Sequence, residues 1–246
     1  MFLKFLRRHR KANPIFEAIG TDMHCHLIPG VDDGSPSLEE TKSCIESMQQ
    51  CGFSRIFITP HFQFPRYPNT EEDITRRYEE LSQQLAEAGV TMKLGGISGE
   101  YRVDSGFAAR VENPRFLLLG GRYVLLEFSL HQQMMGLDEM IFDLQMKGYE
   151  VILAHPERYP YLGVFSQRME QLKNQGVFFQ LNILSMHGFY GESAKQKAFQ
   201  MLDRGWVEFL GTDTHNSLYT QALIDATHSR KIQKVLETHK FMNVEL

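Results

Sequence analysis

Two histidines near the start of the chain have the spacing of metal ligands. His24 and His26 form an H-x-H pair in the segment GTDMHCHLIPGVDDG, residues 20–34. Because alternate side chains of an extended strand share a face, both imidazoles point the same way. Asp32, in the following turn, can reach back toward the same ion. An isolated H-x-H pair also fits histidines that only pack or cap, so the metal hypothesis requires matching ligands on other strands.

Seven short apolar runs, each followed by a helical pattern, provide the strands that such a site needs. The first predicted strand ends at residue 23, and the other six span residues 55–59, 91–94, 123–127, 150–154, 177–183 and 207–210. The predicted helices span about residues 37–51, 70–88, 105–111, 137–147, 165–175, 194–204 and 219–239. Alternation of continuous apolar strands with helices indicates a parallel sheet covered by helices.

Metal-capable side chains follow six of the seven strands at their carboxyl ends. The first strand provides His24 and His26, and the later strands provide His61, Glu100, Glu127, His155, Asp213 and His215. The sixth strand instead carries Gln180 and Asn182, which suit the support of ligands or contact with substrate. Parallel strand ends converge in a barrel, whereas an open sheet spreads them along a line. The sequence therefore predicts an α/β fold, a distorted seven-stranded (β/α) TIM-like barrel that forms a single domain over residues 1–246.

The predicted ligand set is too large for one ion. Five imidazoles and four carboxylates exceed the four to six ligands that one ion usually takes. Two or three divalent ions, bridged by the carboxylate of Glu100, would use them all. Histidine and carboxylate donors without thiolates fit Mn, Fe or Zn and argue against a structural zinc site.

The composition excludes several other classes of protein. A net charge of −4 over 246 residues contrasts with the strongly basic character of nucleic-acid-binding domains. Three cysteines without paired spacing suit a reducing compartment, and no apolar run reaches the length of a membrane helix, so we predict a cytoplasmic protein. Residues 1–16 form a basic and apolar leader, in which residues 1–11 either contact an anionic membrane surface weakly or stay solvated. The sequence contains no C-x5-R motif, which excludes the mechanism of cysteine phosphatases. It also contains no Walker loop and no H-E-x-x-H motif.

The motifs resemble those of the PHP (polymerase and histidinol phosphatase) family of metal-dependent phosphoesterases. One branch has particularly similar motifs, the manganese-dependent protein-tyrosine phosphatases of bacterial capsule and exopolysaccharide operons. The motifs of this chain that carry the similarity are HCHLIPGVDDG, TPHF, AHPER and GTDTHN. The resemblance implies a trinuclear site, manganese as the metal, and a phosphotyrosine substrate on the tail of a bacterial tyrosine kinase. It also implies that Arg158 of AHPER contacts phosphate. One difference is that the branch carries an arginine soon after D-x-H-N, whereas NSLYTQ has none.

The predicted cluster, together with the phosphate contact that the resemblance implies for Arg158, suggests catalytic roles for four residues. Metal ions would lower the pKa of a bridging water, with Glu100 as the bridging ligand and Arg158 stabilising charge on the phosphoryl oxygens. His61 or His215 would assist the leaving group if it is not fully engaged as a ligand. No residue stands out as a dedicated acid.

A rim for a phosphotyrosyl peptide is predicted from two segments, although ordinary loop packing explains these side chains equally well. The rim residues are Phe62, Phe64, Arg66 and Tyr67 after the second strand, and Tyr159 and Tyr161 beyond Arg158. Two other functions stay open. The first is a phosphoesterase of the same family acting on a small metabolite, as histidinol phosphatases do, or on DNA, which the acidic composition disfavours. The second is a metal-binding regulatory protein without catalysis.

Overall fold

The computed structural model describes residues 11–131, 135–164 and 166–246. The predicted membrane contact through residues 1–11 and most of the predicted leader lie outside these ranges, as does residue 165, the expected start of one helix. Residues 11–20, which include the last part of the predicted leader, contain a short 3-10 helix, Ile15–Ala18. No helix in the described ranges has both the length and the apolar character needed to cross a membrane.

The predicted alternation of strands and helices is confirmed. The strands are β1 (Thr21–Asp22), β2 (Arg55–Ile58), β3 (His61–Phe62), β4 (Lys93–Ile97), β5 (Glu100–Arg102), β6 (Tyr123–Glu127), β7 (Glu150–Ala154), β8 (Phe178–Asn182) and β9 (Phe209–Gly211). The helices are α1 (Leu38–Gln50), α2 (Glu71–Glu87), α3 (Phe107–Glu112), α4 (Leu137–Met146), α5 (Gln167–Asn174), α6 (Ile183–His187), α7 (Glu192–Asp203), α8 (Ser217–Ala226) and α9 (Arg230–Thr238).

Two predicted strands are each followed by a further short strand that was not predicted, and one predicted helix is divided. The strand predicted over 55–59 is followed by β3, and the strand predicted over 91–94 extends to Ile97 as β4 and is followed by β5. The predicted helix over 219–239 is two helices, because Ser229 caps α9 by accepting a hydrogen bond from the backbone of Ile232. The short helix α6 was not predicted.

The strands surround a small inner core as a distorted parallel barrel. Regular pairing divides them into a three-stranded sheet, β1-β2-β4, and a six-stranded sheet, β3-β5-β6-β7-β8-β9, so the hydrogen-bonded ladder is not continuous. The sheets meet beside the H-x-H pair, where the Asp213 amide donates to the His24 carbonyl and the His26 amide to the Thr214 carbonyl, both at 2.8 Å. The distortion is therefore concentrated next to the metal-capable residues.

Strand periodicity decides which side chains face the inside. In β6, Tyr123 and Leu125 join the inner core, whereas Val124 and Leu126 pack beneath the helices. Since side chains alternate along a strand, Glu127 lies on the same inner face as Tyr123 and Leu125. Glu127 is also the last residue of β6, so its carboxylate stands at the carboxyl end of the barrel.

Candidate metal centre

Eight of the nine predicted ligands converge at the carboxyl ends of the strands. They form four overlapping groups, in each of which the candidate ligand atoms lie within 4.8 Å of one another. The groups are His24–His26–Asp213, His24–Glu100–His155, His61–Glu100–Glu127 and His26–His61–His215. Strand register contributes directly, because His61 pairs with Glu100 across β3 and β5.

Glu100 lies at the centre of the cluster. Its Oε2 atom is 3.0 Å from Nδ1 of His61 and 3.3 Å from Nε2 of both His24 and His26. Its other oxygen, Oε1, lies 3.0 Å from Nε2 of His155. The residue is fully buried. A carboxylate that faces four imidazoles with both oxygens has the placement of a bridging ligand.

Asp213 joins the cluster to the predicted phosphate-binding arginine. Its Oδ1 atom lies 3.3 Å from Nε2 of His26 and 3.5 Å from Nε2 of His24. Its Oδ2 atom accepts a hydrogen bond from Nη1 of Arg158 at 2.5 Å. Asn182 and Tyr190 also donate to Oδ2, at 3.1 and 3.2 Å. One carboxylate thus faces the metal centre on one side and holds Arg158 on the other.

The backbone is strained at two of the candidate ligands. His155 has φ 36° and Asp213 has φ 53°, and both residues are non-glycine. Such left-handed conformations are uncommon for residues with a Cβ atom and cluster at functional sites. Here they turn the chain immediately after β7 and β9 toward the cluster.

Three of the five histidines are fixed by a hydrogen bond at the ring nitrogen that faces away from the cluster. Nδ1 of His24 bonds Oε1 of Gln180 at 2.9 Å, and Nδ1 of His26 bonds Oδ2 of Asp32 at 2.9 Å. Nδ1 of His215 donates to the carbonyl of Asp213 at 2.8 Å. Each bond leaves Nε2 free to face an ion and sets the ring orientation, as outer partners of metal-binding histidines do.

Asp32 is the one predicted ligand that lies outside all four groups. Besides bonding His26, it accepts hydrogen bonds from the amides of Gly34 and His61, each at 2.9 Å. Its neighbour Asp33 faces the cluster instead, with Oδ1 at 3.5 Å from Nε2 of His61 and 3.7 Å from Nε2 of His215. The prediction assigned the ligand role to the first aspartate of the pair, whereas the structure brings the second one to the ligand atoms.

Two glycines allow the close packing behind the H-x-H pair. A Cβ atom on Gly211 would lie 2.8 Å from the Cβ of His24 and 2.8 Å from Nε2 of Gln180. A Cβ atom on Gly34 would lie 2.1 Å from the carbonyl oxygen of His26. Any larger residue at either position would displace a candidate ligand.

Burial and opposite charge act against each other on the ionisable groups of the site. Burial alone raises the pKa of Asp213, but the neighbouring His215, His26 and Arg158 lower it well below its ordinary value. Burial similarly raises the pKa of Glu100, and His24 and His61 reverse the effect, so its pKa is also lowered. Burial and the nearby His26 lower the pKa of His215 to about 4. Ionised carboxylates and a neutral His215 are the forms that bind metal ions.

The cluster also passes a chemical test of fit for metal ions. Within the described ranges, Oε2 of Glu100 and Nδ1 of His61 are buried and, although they lie 3.0 Å apart, neither makes a hydrogen bond of good geometry. Buried polar atoms without a partner are costly and rare in native proteins. Both atoms face the other ligand atoms, so ions at this position would satisfy them.

A cavity of about 330 Å³, the metal cavity, opens above the cluster. Besides ligands, its walls include Arg66, Arg102, Leu130, Arg158 and Tyr219. The predicted substrate residues divide between several places. Arg158 and Arg66 line the metal cavity, whereas Phe62 and Phe64 line a neighbouring cavity.

Tyr159 is not placed to contact substrate. It is fully buried, and its hydroxyl accepts a hydrogen bond from the Phe128 amide and donates one to the Ala154 carbonyl, both at 2.9 Å. These bonds tie the chain after β7 to the chain after β6. The prediction for Tyr159 is therefore corrected to a structural role.

Sequence reasoning missed three residues of the site. Arg102 pairs with Glu127 across the register of β5 and β6, with Nη1 2.7 Å from Oε2. The ring of Tyr190 lies 4.2 Å from the Arg158 guanidinium carbon, and the ring of Tyr219 stacks on His215 at 5.0 Å. Arg102 could have been found from its position two residues after Glu100 on a strand; the two tyrosines lie in helical or loop segments without a comparable signal.

Comparison with known proteins gives a family and a fold. The family model described as capsular polysaccharide synthesis, CpsB/CapC, matches residues 20–243. The tyrosine-protein phosphatase CpsB of Streptococcus pneumoniae is 28% identical over 202 residues, which cover 79% of this chain and 82% of that protein. The tyrosine-protein phosphatase YwqE of Bacillus subtilis is 24% identical over 197 residues, covering 79% of this chain and 77% of its own length.

A crystal structure of the YwqE and CpsB metal-dependent tyrosine phosphatases superimposes with a TM-score of 0.77 at 21% identity, covering 92% of this chain and 94% of that one. At this identity the structural match supports the fold, and the barrel deduced from the strand ends agrees with it. Since the family model spans nearly all of the described chain, this protein belongs to the CpsB/CapC family of capsular polysaccharide synthesis proteins.

Proposed function

We propose that this chain is a metal-dependent phosphatase that hydrolyses phosphotyrosine in proteins. The observation that carries the proposal is the convergence of eight metal-capable side chains, with the buried Glu100 at their centre, next to Arg158. The relatives CpsB and YwqE, which are named tyrosine-protein phosphatases, support the choice of substrate.

The cluster would hold two or three divalent ions. Glu100 would bridge them, and the remaining ligands would divide into the groups that share Glu100 or His26. We assign Asp33 as an additional ligand beside His61 and His215, and we assign Asp32 the role of orienting His26. Nitrogen and carboxylate donors fit Mn²⁺, Fe²⁺ or Zn²⁺, and the similarity to the manganese-dependent branch favours Mn²⁺. Such ions, when bound, lower the pKa of coordinated water and neutralise charge on phosphoryl oxygens.

Arg158 is the phosphate clamp of this proposal. Its guanidinium is held between Oδ2 of Asp213 and the ring of Tyr190. These contacts fix the guanidinium plane at the wall of the metal cavity. A planar guanidinium can donate two parallel hydrogen bonds to a phosphoryl group and stabilise the charge that develops there. Arg158 therefore acts on the substrate without being a metal ligand.

The metal cavity also suits a phenyl phosphate ester. Leu130 and Tyr219 provide apolar surface among its polar walls, and Tyr219 is already stacked on His215. The phenol that leaves has a parent pKa of about 10, so it needs less protonation than an alkyl alcohol does. A dedicated general acid is therefore not required.

The physiological substrate that we propose is the phosphorylated tail of a bacterial tyrosine kinase of capsule or exopolysaccharide synthesis, in the cytoplasm. The family description, capsular polysaccharide synthesis, supports this setting. The cavity above the metal centre is open to a side chain presented by an extended peptide.

A substrate panel tests the proposal. Protein loaded with Mn²⁺ is assayed for phosphate release from a phosphotyrosine peptide, histidinol phosphate and a DNA oligomer with a terminal phosphate. We expect kcat/KM for the peptide to exceed the others by about tenfold or more, a difference of about 1.4 kcal/mol in transition-state stabilisation. A preference for histidinol phosphate or DNA would contradict the substrate, and a metal-loaded protein inert toward all three would indicate the regulatory alternative.

A further inference from the structure

Beside the metal cavity lies a second cavity for which the proposed chemistry has no use. This side cavity has a volume of about 380 Å³. Gln63 and Arg102 line both cavities, so the two are immediate neighbours on one face of the protein. A peptide that places its phosphotyrosine in the metal cavity therefore runs within reach of the side cavity.

Four aromatic side chains line the side cavity. Phe62 and Phe107 line it as buried side chains, while Phe64 stands at its edge with 65% of its surface exposed. Tyr67 completes the aromatic lining. Because the exposed ring of Phe64 stands beside three further aromatic side chains, a ring from a bound peptide could pack against it.

The positive charges of the side cavity are already balanced. Arg102 is paired with Glu127 at 2.7 Å. Arg110 forms an ion pair with Glu71, and its guanidinium carbon lies 5.4 Å from the centre of the Phe62 ring. The Arg110 guanidinium carbon also lies 5.0 Å from the centre of the Tyr101 ring, so a guanidinium and aromatic rings already pack together at this wall.

A negative charge also lines the side cavity. The carboxylate of Asp104 is fixed by hydrogen bonds from the amides of Phe64, at 2.9 Å, and Gly106, at 2.8 Å. An acidic side chain would approach this carboxylate while the two arginines are occupied by other partners. The lining therefore favours a neutral planar ring over an acidic group.

We propose that the side cavity binds an aromatic side chain of the substrate, located within two residues of the phosphotyrosine. The proposal rests on the phosphotyrosine phosphatase function proposed above and adds a specificity subsite to it. An extended chain advances about 3.3–3.6 Å per residue, so one or two residues are enough to pass from one cavity to its neighbour. Ring-to-ring contacts with Phe64, beside the guanidinium of Arg102, would hold the side chain.

Matched peptides test this subsite. The Mn²⁺-loaded protein is given phosphotyrosine peptides that differ only in carrying Phe, Ala or Glu at one position, from two residues before to two residues after the phosphotyrosine. At one or more positions, kcat/KM with Phe should exceed kcat/KM with Ala by roughly tenfold, the gain expected from burying part of an aromatic ring. Glu at the same position should give no gain over Ala.

Variants assign the preference to the side cavity. In Phe64→Ala the Phe-to-Ala ratio of kcat/KM should fall to about one, and Phe64→Trp, which keeps an aromatic ring at the edge, should retain it. The matched control is Phe142→Ala on α4, because Phe142 is similarly exposed at 59% and does not line either cavity. This control should keep the wild-type ratio.

The possible failures can be told apart. Equal turnover of the Phe and Ala peptides at all positions, a preference for Glu, or an unchanged ratio in Phe64→Ala would overturn the subsite while leaving the phosphatase intact. Absence of phosphate release from every phosphotyrosine peptide and from p-nitrophenyl phosphate would instead overturn the underlying function.

Discussion

The metal centre has two halves that differ in how firmly their histidines are held. In the anchored half, His24, His26 and His215 each bond a protein oxygen through Nδ1 and present Nε2 to the cluster. In the open half, which comprises His61 and His155, no such bond fixes the ring: Nδ1 of His155 is buried without a partner among the described residues. Both nitrogens of His61 face carboxylates of the site, Glu100 and Asp33.

This difference implies unequal affinity for ions. A ring whose tautomer and orientation are already fixed loses little freedom when it binds a metal, and outer partners raise metal affinity by about 10- to 100-fold. The anchored half also contains Asp213, which lies between His24 and His26. We therefore expect the first ion to bind there and the ions of the open half to bind more weakly.

Asp213→Asn should have the largest effect, because it weakens the anchored half and the hold on Arg158 together. We expect at least one ion per chain to be lost and kcat/KM to fall on the order of 10³-fold or more, since a charged ligand and a positioning contact disappear. Elemental analysis beside steady-state kinetics measures both. Wild-type metal content in the variant would remove Asp213 from the ligand set. Asp203→Asn, at the end of α7, is the control.

Arg158→Ala should have the next largest effect and should separate substrate binding from metal binding. Because the guanidinium contacts the outer oxygen of Asp213 rather than the cluster, the ions should remain while kcat/KM falls on the order of 10²-fold. Arg158→Lys should recover part of this loss, since lysine supplies charge without a planar fork.

His155→Ala provides the contrast to Arg158→Ala, because it should lower metal content as well as rate. If Arg158→Ala hydrolysed a phosphotyrosyl peptide at the wild-type rate, the phosphate-clamp role would be wrong. Arg158 would then have only a structural role, as the ion-pair partner of Asp213.

Gln180→Ala should have a moderate effect and tests the anchoring bond itself. Its side chain holds Nδ1 of His24 but lies outside the ligand groups. Removing it should weaken the tightest metal-binding step by about 10- to 100-fold without changing the number of sites. Calorimetric titration of metal-free protein with Mn²⁺ measures this. Gln196→Ala, on the exposed face of α7, is the control, and equal affinities in both variants would contradict the difference between the halves.

Replacing all three cysteines with alanine should have the smallest effect. Cys25, Cys44 and Cys51 are buried, and burial raises the pKa of the Cys44 and Cys51 thiols to about 12, which disfavours the nucleophilic thiolate. Turnover should stay within a few-fold, although each deletion of a buried sulfur costs some stability. Complete loss of activity in a folded, metal-loaded variant would indicate a thiolate mechanism.

Much of this architecture is accessible from the sequence because the relevant patterns are local. Apolar runs locate the strands, and the barrel topology brings their carboxyl ends together, so His61, Glu100 and His155 could be placed at one site without coordinates. The split of the last predicted helix was less accessible, because Thr227 to Ser229 interrupt a helical pattern that continues on both sides.

The details of the centre depend on contacts that no local pattern encodes. Which member of the Asp32–Asp33 pair faces the cluster is decided by the path of the loop, in which Gly34 packs against the His26 backbone. Tyr159 follows a site arginine in sequence, yet its ring points into the core to bridge two strand ends. The anchoring of His24 by Gln180 joins residues 156 positions apart.

The most direct test of the account is a single titration of metal-free protein with Mn²⁺, in which bound metal and phosphate release from a phosphotyrosine peptide are followed together. We predict negligible release before addition, then activity that rises with occupancy and reaches its maximum at two to three ions per chain. Full activity in protein stripped of metal, or Mn²⁺ binding that leaves phosphate release unchanged, would contradict it.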